Sequence, residues 1–444
     1  MKTTWLLLVA GTIPATLLAQ SSVPPGTGIN PVLPAFYETP PARLVPNLQA
    51  FGAGEGPTAP RGFKVTAFAR GLGAPRNVLP LPNGDILIAQ SGGSPRGGMK
   101  RPGRGTDRIY LARDSDGDGV ADFQSTLLSG LTFPYGMAMV RGRLFIAEND
   151  RLISVPFSPG QLAIANGAPL QIHAKLPTAS GELHPTRNLR LSPDTRRLFV
   201  AIGAASDAGQ RGTAIERRRA NILELDLSNN RLRVFAAGIR NPVGMDIEPE
   251  THALWTVVNE RNGLGDDLVP DYLTSVRRGQ HFGWPFAYFG SHQDARYVTK
   301  PRTPLARVAI PDFAIGGHVA ALGLAFGRRT TFPAAYRRGA FVARHGSTER
   351  SHLAGYDVVF VPFRNGRPMG PVQPFLTGFI HNNDVRGRPR ATAVTADGSL
   401  LVVDDAGEVV WRVASIPSHT DAPPIAPYTT TMSAMRQNGT ARTN

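Results

Sequence analysis

The sequence predicts an all-β chain folded as a six-bladed β-propeller, and two observations carry that expectation. Amphipathic stretches of helical period are scarce, and one phrase recurs instead: a short alternating strand, a turn, then a strongly apolar strand. It reads "NVLPLPNGDILIAQ" (77–90), "GMAMVRGRLFIAEN" (136–149), "NLRLSPDTRRLFVAIG" (188–203) and "GMDIEPETHALWTVVNE" (244–260). It returns as "GLAFGRRTTFPAAYRRGAFVARHG" (323–346) and "AVTADGSLLVVDD" (393–405). Six copies, roughly fifty to ninety residues apart, argue for radial repetition of small antiparallel sheets, each copy being the inner strand pair of one blade. A β-sandwich also buries apolar strands, but it needs no sixfold recurrence.

The elements follow in chain order. Residues 1–20 have the form of a signal peptide: Lys2 ahead of the apolar "WLLLVAGTIPATLLA", ending in the small Ala19. That stretch is too short, and too broken by Gly and Pro, for a membrane span, and no later segment approaches eighteen apolar residues. Residues 21–60 are Pro/Gly-rich and 415–444 Pro/Thr-rich, so both are expected to pack loosely around a propeller domain at 61–414. The expected location is the periplasm or outside the cell. Cysteine is absent, which excludes disulfides, thiolate metal sites and CxxCH haem attachment.

The net charge of +15 is carried by arginine, with lysine only at positions 2, 64, 100, 175 and 300. The arginines are dispersed and not interleaved with aromatics in a recognisable module, which argues against nucleic acid as a partner. Guanidinium forks pair bidentately with carboxylates, so a small polyanionic ligand is the sharper expectation.

In a propeller, the segments just before the inner strands gather around one mouth of the central channel. His184 holds that place in "GELHPTRNLRL", and Arg240 and Asn241 hold it in "GIRNPVGM". Glu260, Arg261, Asp266 and Asp267 follow the fourth copy in "NERNGLGDDLVPDYL", a bend whose backbone carbonyls suit a hard cation. Arg344, His345 and Arg350 follow the fifth in "RHGSTERS", and Arg386 and Arg388 precede the sixth in "VRGRPR". A histidine, an asparagine and several arginines would thus converge on one pocket. Apart from the mouth, "DSDGDGVAD" sets Asp114, Asp116, Asp118 and Asp122 at the first, third, fifth and ninth places of a calcium-type loop, with Gly119 at its turn. The twelfth place is Ser125 and no flanking helices are evident, so this is no EF-hand. Clustered carboxylates repel unless a cation sits among them, and a structural calcium is expected there.

Together "HPTRNLRLSPD", "RNPVGM", "NERNGLGDDLVPDYLTSV", "GQHFGWPFAYFG", "HGSTERSHLAGYDVVFVPF" and "GRPRATAVTADGSLLVVDD" resemble the soluble quinoprotein glucose/sorbosone dehydrogenase family, most closely its sorbosone dehydrogenase-like branch, over most of residues 60–413. The resemblance implies pyrroloquinoline quinone (PQQ) and calcium as cofactors. It makes His184 the general base that takes the proton from the sugar's C1 hydroxyl as hydride passes to the quinone. It places Arg240 near the reacting quinone oxygens, Asn241 and Arg344 on the cofactor, and Arg386 and Arg388 on the cofactor carboxylates. It places the backbone carbonyls of Asn262 and Gly263 on a site calcium. The substrate implied is an aldose or a sugar aldehyde such as L-sorbosone. An external cytochrome or quinone would accept the electrons, since the chain has no haem motif.

The chain also departs from the family. Glucose-type members orient the base with a carboxylate after "IG", where this chain has Ala204, and Asp207 is the candidate replacement. The calcium turn reads Asn-Gly in place of Gly-Pro, and Thr348 replaces the tryptophan usual in "GSWNRS". Two alternatives stay open at this point: a calcium-dependent propeller lactonase, and a non-enzymatic propeller that binds a partner.

Overall fold

The computed structural model describes residues 24–91, 107–165, 167–297, 304–381 and 383–416. The signal peptide expected at 1–20 and nearly all of the tail expected at 415–444 lie outside them. The chain is almost entirely β. Among the described residues the one α-helix is a single turn, Ala334–Arg337.

Six larger sheets follow one another along the chain. Their first strands are Pro75–Pro80, Gly136–Val140, Arg187–Leu191, Pro242–Ile247, Ala321–Phe326 and Pro389–Val394, the strands that open the six repeated phrases. Each is paired antiparallel with the apolar strand that follows it, as in Arg187–Leu191 with Arg197–Ile202. Each first strand touches the first strand of the next sheet, and Pro389–Val394 touches Pro75–Pro80, so the six close a ring. The last sheet takes its outer strand from far away in sequence: Phe63–Arg70 pairs antiparallel with Val409–Ser415.

Apolar strands in this arrangement are covered on both faces, which explains why they read as continuous hydrophobic runs and not as alternation. In Arg197–Ile202, the side chains of Leu198, Val200 and Ile202 pack with Ala138, Phe145 and Leu152 of the second sheet. Those of Phe199 and Ala201 turn the other way, to Met245, Leu254 and Tyr272 of the fourth. Six such clusters, each between two adjacent sheets, make up most of the core, and two smaller ones of three residues accompany them.

The inner strands can approach this closely because one layer of the ring carries little side chain. A Cβ on Gly136 would overlap the backbone of Arg187 and Leu189 on the next first strand. One on Gly244 would lie 2.7 Å from the Leu324 nitrogen, and one on Gly323 would lie 3.0 Å from the Ala391 Cα. Asn77 and Asn188 occupy the same layer and reach across to backbone oxygens, Asn77 Nδ2 donating to Tyr135 O at 3.1 Å and Asn188 Nδ2 to Val243 O at 2.6 Å. Beyond this layer, toward the far ends of the strands, the ring encloses a cavity of about 540 Å³ that Met137, Arg190, Asp246, Leu324 and Thr392 help to line.

The loose packing expected of the N-terminal segment does not hold for residues 24–60. Thr27–Gly28 adds to the edge of Phe313–Gly317, and Asn47–Leu48 pairs with Asp384–Val385 in parallel. Between them Tyr37 N donates to Leu264 O, Thr39 Oγ1 accepts from Asp266 N, and Leu44 N donates to Thr348 O. A Pro-rich segment stays extended while its other backbone groups remain free to pair with loops that need partners. The segment is a strap over the loops of the fourth to sixth sheets.

Replacing Gly136 by alanine should cost about 1–3 kcal/mol, because the overlap is with backbone that cannot step aside. Urea unfolding of Gly136→Ala, with an unchanged m-value and a lower midpoint, is the expected result.

Candidate active site

His184 enters the third sheet just ahead of Arg187–Leu191, beside the end of the neighbouring strand Arg197–Ile202. It is buried, and its Nδ1 lies 2.8 Å from the carbonyl oxygen of Ala204. A carbonyl only accepts, so Nδ1 carries the ring proton and Nε2 keeps the lone pair. Burial, reinforced by the Arg240 guanidinium, holds the imidazole well below its ordinary value of 6.5. Its backbone is clamped as well. Arg187 and Arg219 both donate to His184 O, at 2.8 and 3.3 Å, and both pair with the buried Glu182. Burial lowers Arg187 to about 10.

Asp207 does not orient the histidine. Its carboxylate takes Arg240 NH2 at 2.6 Å and its carbonyl takes Arg240 Nε at 2.9 Å, while Arg240 NH1 donates to Asn259 O at 2.8 Å. The orienting role falls to the main chain of Ala204, whose N–H donates to Arg240 O at 2.7 Å. His184 and the Arg240 backbone are thereby locked to the main chain of one residue, Ala204. Asn241 completes the group: its buried Oδ1 has no hydrogen-bond partner. Gly203 faces it, at a point where a Cβ would overlap that oxygen and lie 2.6 Å from His184 Cβ.

A second group gathers at the fifth and sixth sheets. Arg344 forks onto Asp357, with Nε 2.7 Å from Oδ1 and NH2 2.5 Å from Oδ2. His345 Nε2 lies 2.9 Å from Asp405 Oδ1, and burial brings this histidine down to about 4, so it is neutral. Arg76 and Arg390 also reach Asp405, at 2.6 and 3.2 Å. Arg388 donates to the carbonyls of His345 and Gly346 and lies 5.7 Å above the Tyr356 ring. No carboxylate among the described residues pairs with it.

Arg386 is not brought beside Arg388. It pairs with Glu55 of the strap and lies 4.7 Å above the Phe51 ring. Arg261, read from the sequence as a mouth residue, is fully internal: it holds Glu260, Asp294 and the carbonyls of Pro285 and Ala287. Asp266, Asp267 and Arg350 join the loops of the fourth and fifth sheets, Arg350 donating to Asp266 O at 2.7 Å and pairing with Asp267 at 2.9 Å.

The two cation positions behave differently. At the turn, Asn262 N–H points to Asp207, and Asn262 O already accepts Arg296 NH1 at 3.0 Å. In the acidic loop, one carboxylate oxygen each from Asp114, Asp116 and Asp118 lie within 4.8 Å of one another. Asp122 stands apart from that trio, its two oxygens accepting from Ser115 N and Oγ.

Sequence reasoning missed Arg187, Arg219, Glu182, Arg76, Asp405 and Arg296. Arg187, like Arg76, opens an inner strand, so the repeat itself held the signal for those two. Asp405 and Arg219 act through partners remote in sequence, and Glu182 and Arg296 lie in loops that share no repeated phrase.

The glucose/sorbosone dehydrogenase family model matches residues 165–412, and a TrAA12-like model matches 57–271. An uncharacterised protein of Borreliella burgdorferi is 28% identical over 366 residues, covering 80% of this chain and 89% of its own. Among solved structures, a Trichoderma reesei protein of carbohydrate-active enzyme family AA12 superposes with a TM-score of 0.68 at 19% identity, covering 84% of this chain and 100% of its own. The holo form of the pyranose dehydrogenase PQQ domain from Coprinopsis cinerea gives 0.65 at 18%, covering 81% and 97%. At such identities the structures speak for the fold, and the family model, spanning more than half of the sequence, speaks for descent. The chain belongs to the glucose/sorbosone dehydrogenase family.

Proposed function

We propose that this chain is a six-bladed β-propeller that binds PQQ and oxidises an aldose or a sugar aldehyde of the L-sorbosone kind. It would act in the periplasm or outside the cell and pass electrons to a separate cytochrome or quinone. The observation that carries the reading is the pairing of a histidine whose Nε2 is set as a base with an adjacent buried amide oxygen that lacks any partner. The residues fit the cofactor: Asn241 Oδ1 awaits a donor, Gly203 lets Asn241 and His184 pack together without a Cβ between them, and Arg388 is a cation without a carboxylate. Arg344 and Arg386 are the further cations proposed for the cofactor's carboxylates, on turning from Asp357 and Glu55. Bound PQQ would supply a two-electron hydride acceptor.

The chain's own residues would do the rest. His184 Nε2 takes the proton from the anomeric hydroxyl of an aldose, or from a hydroxyl of a hydrated aldehyde, as the C–H bond on the same carbon gives up its hydride, leaving a lactone or an acid. Arg240, immobilised by Asp207 and Asn259, presents a fixed positive charge to oxygens that gain electron density. Arg187 and Arg219 keep the His184 backbone from drifting. A propeller lactonase would need carboxylates and asparagines free to hold a cation at the channel centre. The asparagines of the ring layer, Asn77 and Asn188, already donate to backbone oxygens, which favours the dehydrogenase. A structural calcium is proposed for Asp114, Asp116 and Asp118, with Asp122 holding the loop through Ser115.

Three measurements test this reading. Purified protein supplied with PQQ should reduce a redox dye in the presence of aldoses or sorbosone, and His184→Ala should lower turnover by about 10²–10⁴-fold while still binding PQQ. Absence of PQQ binding in the wild type would sink the proposal. In the cofactor-free protein, an NMR titration should find the His184 ring neutral from pH 8 down through 6.5, because its buried form resists protonation. A midpoint at or above 6.5 would contradict the assigned environment. Calcium at about a hundred times its Kd should stabilise the protein by about 2.7 kcal/mol. Asp116→Asn with Asp118→Asn should abolish that gain.

A further inference from the structure

We infer that the guanidinium of Arg296 is the resident cation of the Asn262–Gly263 turn, standing where a calcium would sit, so that this chain holds its anionic cofactor without a metal at that turn. The inference rests on the PQQ reading only where it speaks of the cofactor. The cation assignment stands on geometry.

Arg296 NH1 donates to Asn262 O at 3.0 Å, and NH1 also lies 3.7 Å from where a Cβ of Gly263 would be. The guanidinium is anchored on its other side by a two-point fork to Asp294, with Nε 2.9 Å from Oδ1 and NH2 2.7 Å from Oδ2. Asp294 is itself buried and held from behind by Arg261 NH1 at 3.0 Å. The head group is thus directed onto the carbonyl by a rigid base, unlike an ordinary surface arginine.

Calcium takes six to eight oxygens at about 2.3–2.6 Å. The Asn262 carbonyl and three carboxylates around this turn are already engaged. Asp207 takes Arg240 and the Asn262 N–H, Glu260 takes Arg261, and Asp294 takes Arg261 and Arg296. Three carboxylates face three guanidiniums, so the network is charge-balanced as it stands. A divalent ion beside Arg296 would bring two further positive charges against a fixed one, and the one carboxylate of this network without a guanidinium, Asp271, accepts the Glu260 and Ala321 N–H groups and is raised by burial to about 7, so it offsets little. The turn therefore does not fit a calcium while Arg296 is in place. The guanidinium offers what the ion would: a permanent positive charge of fixed position, with donors suited to carboxylate or quinone oxygens.

The test separates the metal from the cofactor. In a parent protein carrying Asp114→Asn, Asp116→Asn and Asp118→Asn, which removes the other cation cluster, calorimetry with calcium alone should detect no binding. Adding Arg296→Ala should create one calcium site. One equivalent bound with Arg296 intact, and no tighter after its removal, would overturn the inference. In the second arm, wild-type affinity for PQQ should be the same in a chelator as in calcium, and Arg296→Ala should weaken PQQ binding about tenfold or more in chelator, with calcium restoring it. Wild-type PQQ binding that requires calcium would overturn the inference equally. The wild-type arms need no variant, and Arg296→Met removes the charge while keeping the stem if the alanine protein fails to fold. A result with the calcium arm as expected but no PQQ bound under any condition would overturn the quinoprotein reading and leave the cation assignment standing.

Discussion

The whole arrangement depends on how closely six inner strands can approach one another. At one layer of the ring the facing positions are glycine, alanine or asparagine, and the glycines have no room for a Cβ. That closeness lets each sheet cover both neighbours, so the hydrophobic core is distributed as six interfaces and no single one dominates. It also fixes where every inner strand begins. The residues just ahead of those strands and just after their partners are forced to one end, which is how His184, Arg240 and Asn241 come together from different sheets. The site is a consequence of the ring's tightness, not of any local motif.

Burial of arginine is the second theme. A charge of +15 looks from composition like a surface property, yet Arg187, Arg240 and Arg261 are among the largest fully buried side chains. Each satisfies several carbonyls and one or two carboxylates at once, which a planar five-donor group can do and an ammonium cannot. Carboxylates serve as hubs in the same way. Glu182 binds Arg187 and Arg219, and Asp405 binds Arg76, Arg390 and His345, three elements from three sheets. Removing one partner of such a hub leaves a buried charge uncompensated.

The legible part of the sequence was what repeats. The inner strand pairs stand out because both their periodicity and their apolar runs follow from being covered on two faces. The outer strands are less regular: Phe123–Leu131 and Arg231–Ala237 are half exposed and carry no shared phrase. The strap at 24–60 reads as loose because it is held by backbone hydrogen bonds and by isolated side-chain contacts to residues far away in sequence, such as Glu55 to Arg386 and Phe51 to Trp411, neither of which makes a periodic pattern. The same reason hides how His184 is oriented. A carboxylate at residue 204 would have been visible in the sequence, but the carbonyl that does the work belongs equally to every residue type, and only the course of the chain puts it 2.8 Å from Nδ1. Asp207 was legible as an acid near the site and illegible as the partner of Arg240, because that pairing spans two sheets.

The choice of a carbonyl over a carboxylate has a chemical consequence. Either acceptor fixes the tautomer, but only a carboxylate offsets the charge that arrives when Nε2 takes a proton. With Ala204 O as its partner and Arg240 close by, His184 pays for protonation in a buried, electropositive place. In the role of base proposed for it, His184 is weakened by that cost. An anion set against Arg240 lowers that cost through the same Coulomb interaction that now raises it. The base then gains strength when an anionic group occupies the site, so that proton uptake is tied to occupancy. Proton-taking capacity in this fold is therefore a joint property of the histidine and whatever negative charge the arginines hold, which is why the arginine-rich mouth and the missing carboxylate belong to one design.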